Sequence, residues 1–231
     1  MCRARPDSNH RPPGTRSSGV FIIGGCPLLQ DGVVMIADRR TGTTARTAVV
    51  AVLSFLCGLS TFFSQGFLPD AVTSFANSAS GWTLVTVLLL AWARVGTALA
   101  ALLGAVSFVL LTLGYSAAAH LRDLFYDPTL FVVVGVLVGP FVGIATSWLR
   151  AATGTALLAG IGVGEAVYGL TVVADTTSPV YWALVGVVAL ALLVAMLIRR
   201  IRGVLWVLLA VVGTGVIAGA FVVVYSSLGG V

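Results

Sequence analysis

The chain of 231 residues contains no lysine, only one glutamate and only three cysteines. Charged residues make up 9% of the sequence, whereas about a quarter is typical of a soluble domain. Hydrophobic residues make up 58%. Because so few charges cannot cover a soluble core, the composition excludes a soluble enzyme or a nucleic-acid binder. No disulfide is expected, since Cys57 lies within a long apolar run and the other two cysteines lie near the N-terminus.

Motifs that carry chemistry are also missing. The sequence contains no P-loop, no dinucleotide-binding fingerprint and no Gly-x-Ser-x-Gly elbow. His120 is followed by Asp123 and Asp127, but the chain has only two histidines, and a zinc site needs three or four converging ligands. The sequence therefore predicts no metal, no cofactor and no catalytic residue.

Residues 1–34 differ from the rest of the chain because they are polar, rich in arginine and proline, and without periodicity. This composition predicts a disordered leader. A short apolar run before Cys26 offers the alternative of a lipoprotein cleavage site, although the run is barely long enough. We favour the interpretation that translation begins at Met35, followed by a basic segment over residues 35–46.

From residue 47 onward, long apolar runs predict an all-α fold, a polytopic transmembrane helix bundle over residues 47–226 with a short tail at 227–231. Six spans is the alternative to seven, because the second run begins with Asn77, Ser78 and Ser80. The seven predicted spans are 47–68, 76–93, 96–118, 129–149, 151–174, 180–198 and 203–226.

The positions of the arginines predict the orientation. From Met35 onward, eight arginines lie before the first span or in alternate connections, whereas the opposite connections carry four aspartates and only Arg122. Because basic residues stay on the cytoplasmic side, the N-terminus is predicted inside and the C-terminus outside, in the plasma membrane. Aromatic residues near the predicted outer ends, among them Trp82 and Tyr181, are expected to be interfacial anchors that face lipid.

Small residues recur at intervals of four in several predicted spans. In the fourth span Gly135, Gly139 and Gly143 follow this spacing, and in the seventh Gly215 and Gly219 do. Such spacing is typical of close helix packing in lipid. Pro140, directly after Gly139, predicts a kink that serves either as a packing bend or as part of a gate.

Glu165, the only glutamate, is the one acid placed well inside a predicted span. Such residues usually find a partner or mark a pathway. In one interpretation Glu165 is neutral, bonds a hydroxyl such as that of Tyr168 or Tyr115, holds two helices together and tolerates glutamine. In the other it binds a proton, a cation or a substrate, beneath an outer polar vestibule that includes Asn77 and Gln65.

Three short motifs carry a resemblance to a known family. They are Ala76-Asn77-Ser78 before Trp82, Gly114-Tyr115, and Gly164-Glu165-Ala166-Val167-Tyr168. Over about residues 45–225 the chain resembles a family of small multi-pass membrane proteins of actinobacteria that is classed as a domain of unknown function. The resemblance implies a membrane protein and transfers no mechanism.

These observations favour a non-catalytic membrane partner or scaffold subunit. The alternative is a small-solute, ion-coupled or proton-coupled carrier, or a substrate-binding membrane subunit, that uses Glu165. An intramembrane enzyme is the weakest hypothesis, because the loops are too short for a catalytic shell. The expected partners are membrane lipid and either a second copy of the chain or another membrane protein, with no nucleic acid.

Overall fold

The structure is a computed structural model that describes the backbone of residues 27–228 and the side chains of residues 42–227 except Asn77. The predicted leader up to Cys26, with the alternative lipid site, lies outside the described residues. The chain divides into Met1–Arg39 and Arg40–Val231, and the helical bundle belongs to the second unit.

Within the described residues the fold is all-α, with seven α-helices, one short 3-10 helix and no strand. Six of the seven bounds agree closely with the predicted spans, with α2 beginning at Ala79 rather than at residue 76. Helix α1 differs most, because it begins at Pro27, within the predicted leader and twenty residues before the predicted span, and ends at Ser64 rather than at residue 68. The helices are α1 (Pro27–Ser64), the 3-10 helix (Thr73–Asn77), α2 (Ala79–Ala93), α3 (Thr97–His120), α4 (Thr129–Ser147), α5 (Ala152–Thr171), α6 (Pro179–Arg199) and α7 (Val204–Leu228).

Five of these helices are long and apolar enough to cross a membrane, by length and composition. They are Gly42–Ser64 of α1, α3, α4, α6 and Val204–Ser227 of α7. The other two depart from this pattern for different reasons. Helix α2 has 15 residues, about 22 Å at 1.5 Å per residue, which is less than the roughly 30 Å of hydrocarbon. Helix α5 has 20 residues, but its glycines and Glu165 make it less apolar.

Helix α5 lies at the centre of the bundle and is buried along most of its length. It packs most extensively on α7 and α6 and also contacts α4 and α2. A Cβ placed on Gly160 would lie 2.5 Å from the Ile217 side chain, and one on Gly162 would lie 2.7 Å from Ala189. The small residues of α5 therefore let two neighbouring helices approach its backbone.

Helix α3 makes similarly close crossings with α4 and α1. A Cβ on Gly104 would lie 2.1 Å from the carbonyl oxygen of Gly139, and one on Gly58 would lie 2.0 Å from that of Leu111. Glycine is the residue that these crossings admit without displacing backbone. By contrast, Gly215 and Gly219 of α7 have no atom within 4 Å of a built Cβ, so these two glycines make no close packing within the described chain.

Three buried hydroxyl groups join α1, α2 and α3. The Ser107 Oγ lies 2.7 Å from the Ser54 Oγ and 3.1 Å from the Thr86 Oγ1, and all three side chains are fully buried. Interhelical hydrogen bonds of this kind contribute to helix association in lipid, where no hydrophobic effect drives helices together.

Candidate functional site

The carboxylate of Glu165 lies at the start of α2. The side chain is 2% exposed. Its Oε1 accepts a hydrogen bond from the backbone N–H of Ala79 and its Oε2 accepts one from that of Ser80, each at 2.7 Å. These N–H groups belong to the first turn of α2, where a helix has donors without an intrahelical acceptor. Glu165 therefore caps α2 from another helix.

Ser78, directly before α2, completes the cap at this helix start. As the N-cap residue of α2 it is extended, and its Oγ accepts from the N–H of Gly81 at 2.9 Å. The same hydroxyl forms a short hydrogen bond with the hydroxyl of Tyr181 on α6. Two side chains thus satisfy three N–H groups. Because α2 has no acidic residue in its first turn, α5 supplies the acidic side chain whose oxygens face the positive end of the helix dipole.

The hydrogen-bond partners of Glu165 differ from the predicted ones. The expected partner was a hydroxyl, but the Tyr115 hydroxyl accepts from Gln65 Nε2 at 3.3 Å, and the Tyr168 ring packs edge-on against Tyr225 with centroids 5.3 Å apart. Backbone donors at a helix start suit a carboxylate better, because both of its oxygens accept. The structure therefore pairs Gln65 with Tyr115, and neither of them bonds Glu165. The Asn77 side chain lies outside the described residues.

The segment between α1 and α2, residues 65–78, contains the 3-10 helix and leads directly into the capped start of α2. Its polar backbone groups find side-chain partners: Trp82 Nε1 donates to the carbonyl of Ala76 at 3.1 Å, and Thr73 Oγ1 donates to that of Pro69 at 3.0 Å. Non-helical backbone at membrane depth needs such internal partners. Trp82 is 9% exposed and Tyr181 3% exposed, so the prediction that they face lipid is wrong. They pack against this segment instead.

An aromatic cavity of about 220 Å³ adjoins the cap. Ser78, Ala79 and Tyr168 form one wall, and the remaining lining is largely apolar and aromatic: Trp82, Phe108, Tyr126, Phe131 and Tyr225 among others. Tyr126, in the connection from α3 to α4, has a pKa raised to about 12, mainly by burial. Its hydroxyl therefore stays neutral at physiological pH. The hydroxyls of Tyr126, Tyr168 and Tyr225 have no hydrogen-bond partner among the described residues.

Gly139 and Pro140 lie away from this cavity's lining. A Cβ on Gly139 would lie 2.6 Å from the Cα of Ala105, so Gly139 sits at the crossing of α4 with α3. Helix α4 continues through Pro140, which has no N–H to offer the carbonyl four residues earlier. The role of this pair as a bend or a gate stays a prediction.

Sequence reasoning missed the first turn of α2 as the partner of Glu165. The available signal was Ser78, a preferred N-cap residue directly before an apolar run that has no acidic residue in its first turn. An estimate of how deep each residue lies along its predicted span could then have paired the start of α2 with Glu165. Ala79 and Glu165 each lie about 20 Å along their helices from the end marked by arginine, at 1.5 Å per residue.

Comparison with known proteins agrees with the resemblance carried by the sequence motifs. No protein of curated function and no solved structure matches the chain. A family model matches residues 37–230, a wider stretch than the motifs suggested. This match confirms the prediction of an uncharacterised family. The actinobacterial source stays a prediction. The chain therefore belongs to the family of unknown function DUF6518.

Proposed function

We propose that the protein is a non-catalytic subunit of the cell membrane that serves as a partner or scaffold for another membrane-embedded chain. The observation that carries the proposal is the engagement of Glu165. It is the one acid placed well inside a predicted span, and both of its oxygens are bonded to the α2 backbone. A carboxylate held in this way supports a structural role, because a carrier site needs a group free to exchange its ligand.

The proposal includes seven membrane crossings, with the N-terminus inside and the C-terminus outside. Seven helices follow one another with short connections, and the connections after α2, α4 and α6 contain Arg94, Arg150 and Arg200. The connections on the opposite side contain four aspartates and one arginine, Arg122. In this arrangement α2 and the non-helical segment before it cross the membrane together, and Glu165 supports their junction.

The outward face of α7 supports the choice of a partner helix. Gly215 and Gly219 are exposed, four residues apart, and open to the surroundings. Val212 and Val216 lie beside them on the exposed surface. Two glycines at this spacing let a second helix approach closely in lipid. The occupant we propose is a helix of a second copy of the chain or of another membrane protein.

Cysteine cross-linking in native membranes tests this proposal. Val216→Cys on α7 is expected to cross-link to a discrete partner band, and Gly215→Leu is expected to abolish that band without lowering thermostability, because the site is open. Val187→Cys, on an exposed part of α6, is the matched control. Equal cross-linking from both positions, or none from either, contradicts the proposal.

A second candidate, a carrier or substrate-binding membrane subunit that uses Glu165, is favoured by the aromatic cavity. Ala79 both donates to Glu165 and lines this cavity, so a ligand there would lie beside the cap. The discriminating measurement is solute or proton flux into proteoliposomes that hold equal amounts of folded wild type and Glu165→Gln. Flux in the wild type that the variant loses establishes the carrier, and absence of flux in both leaves the scaffold proposal standing.

A further inference from the structure

A large open cleft lies at the end of the bundle opposite the Glu165 cap. Its volume is about 1140 Å³, and the connections α2–α3, α4–α5 and α6–α7 contribute to its walls. Four arginines line it: Arg94, Arg150, Arg199 and Arg200. Trp148 lines it too, with an indole that is half-exposed. The cleft thus gathers on one surface arginines that are far apart in sequence.

Among the side chains that the structure describes, no carboxylate pairs with the four arginines of this cleft. None makes an ion pair with a described residue. Asp70, Asp123, Asp127 and Asp175 lie in the connections at the opposite end, and Glu165 is bonded within the bundle. Four uncompensated guanidinium groups around one concave surface raise the local concentration of anions.

Two helix starts add backbone donors to the same cleft. Helix α3 begins after Gly96 and α5 begins after Ala151, and neither N-cap residue provides a side-chain hydrogen bond. Gly96, Thr97 and Ala151 all line the cleft. The first-turn N–H groups of a helix carry the positive end of its dipole, which favours an anion. The start of α2, where Glu165 supplies the anion, shows how this chain caps a helix that has no local acid.

Arg94 occupies a backbone conformation that favours glycine. It ends α2 in the left-handed region, with φ of 52°, and its N–H bonds the carbonyl of Leu90 at 3.0 Å. Glycine is the usual residue at such a helix end because it adopts this region without a steric cost. An arginine there places a guanidinium at the cleft at a conformational cost.

From the cleft, the four unpaired arginines and the two uncapped helix starts, we infer that the protein binds a phosphate group at this surface. Arginine recognises phosphate through two parallel hydrogen bonds, and the half-exposed Trp148 offers an apolar surface beside it. At about 1140 Å³ the cleft has room for a larger molecule that carries the phosphate group. The source of the group is either the headgroup of an anionic phospholipid or a soluble phosphate compound. Basic pockets between transmembrane helices are known to hold such headgroups.

The experiment measures binding to the purified full chain in a neutral detergent. The two probes are phosphatidylglycerol in mixed micelles and inorganic pyrophosphate in solution. We expect Arg94→Gly and Arg150→Gln each to weaken binding about tenfold, the loss typical of one charge-assisted hydrogen bond. Arg94→Gly is expected to preserve thermostability without ligand, because glycine suits the left-handed conformation.

The matched control is Arg202→Gln, because Arg202 lies in the α6–α7 connection but does not line the cleft. Its binding should stay within about twofold of wild type, after the loss of one general charge. Binding of phosphatidylglycerol alone identifies a lipid headgroup, and saturable binding of pyrophosphate identifies a soluble phosphate compound. If neither probe binds, or if Arg202→Gln weakens binding as much as Arg94→Gly, the inference is overturned.

Discussion

Replacement of Glu165 by glutamine should destabilise the protein, although the two side chains have nearly the same size. Glutamine offers one carbonyl oxygen and one NH₂ group. Whichever way it is oriented, either the Ala79 or the Ser80 N–H faces another donor and loses its 2.7 Å hydrogen bond. The sequence alone suggests that glutamine is tolerated at a structural site, whereas two acceptor oxygens at a helix start predict the opposite.

The magnitude follows from the bonds that are lost. A hydrogen bond to a charged group contributes about 1.5–3 kcal/mol, and a charge at a helix start adds up to about 2 kcal/mol when partly buried. Interhelical bonds in membrane proteins average only about 0.6 kcal/mol in double-mutant cycles, and a neutral side chain is cheaper to bury. We therefore expect Glu165→Gln to lower the free energy of unfolding by about 1–3 kcal/mol and Glu165→Ala by about 2–4 kcal/mol.

Unfolding of the purified protein in detergent, by heat or by a denaturing detergent, provides the assay. Tyr168→Phe is the control on the same helix, because its hydroxyl has no partner among the described residues, and it should change stability by less than about 0.5 kcal/mol. Ser78→Ala removes the other half of the cap, so its effect should be non-additive with that of Glu165→Ala. A glutamine variant as stable as wild type would refute the two-bond cap.

Three further outcomes follow from the structure. Gly104→Ala should lower stability by about 1–3 kcal/mol through overpacking, whereas Gly215→Ala, with open space around its Cβ, should be neutral or stabilising by up to about 1 kcal/mol in thermal unfolding. In the proposed orientation, a reporter that fluoresces only in the cytoplasm should stay dark when fused after Val231, and a bright signal would contradict seven spans with the N-terminus inside. Hydrogen bonds from Thr129 lower the pKa of Asp127 below 3.8, so its contribution to stability is present above that pH and is lost as the pH falls through the lowered pKa. Thermal unfolding of wild type and Asp127→Ala should therefore differ at neutral pH and converge in strong acid.

The helices could be predicted from the sequence because the apolar runs, and the arginines between them, are local features. The predicted span 180–198, for example, corresponds to α6 at Pro179–Arg199. The second span was predicted from residue 76, three residues before α2 begins, although Ser78 carries a local N-cap signal. The sequence could not show that Glu165, far along the chain, bonds this helix start. Glu165 itself stood out as the only glutamate, but its partners are backbone groups, which carry no residue-type signal. The prediction for Trp82 and Tyr181 was wrong for a related reason. From the sequence, an aromatic residue near a helix end gives no indication of whether its side chain faces lipid or packs against a neighbouring segment of the chain.

The cap on α2 also has a consequence for the order of assembly during synthesis. The donor at Ala79 and the acceptor at Glu165 are 86 residues apart. At a translation rate of roughly 5–20 residues per second, the ribosome makes the acceptor about 4–17 s after the donor. During that interval the first turn of α2 lacks the Glu165 side chain. In the proposed seven-span arrangement, we therefore expect α2 and the segment before it to reach their final depth only after α5 has inserted. A ribosome stalled before residue 165 should therefore leave the segment around residue 79 open to aqueous labelling, and one stalled beyond the exit of α5 should leave it protected.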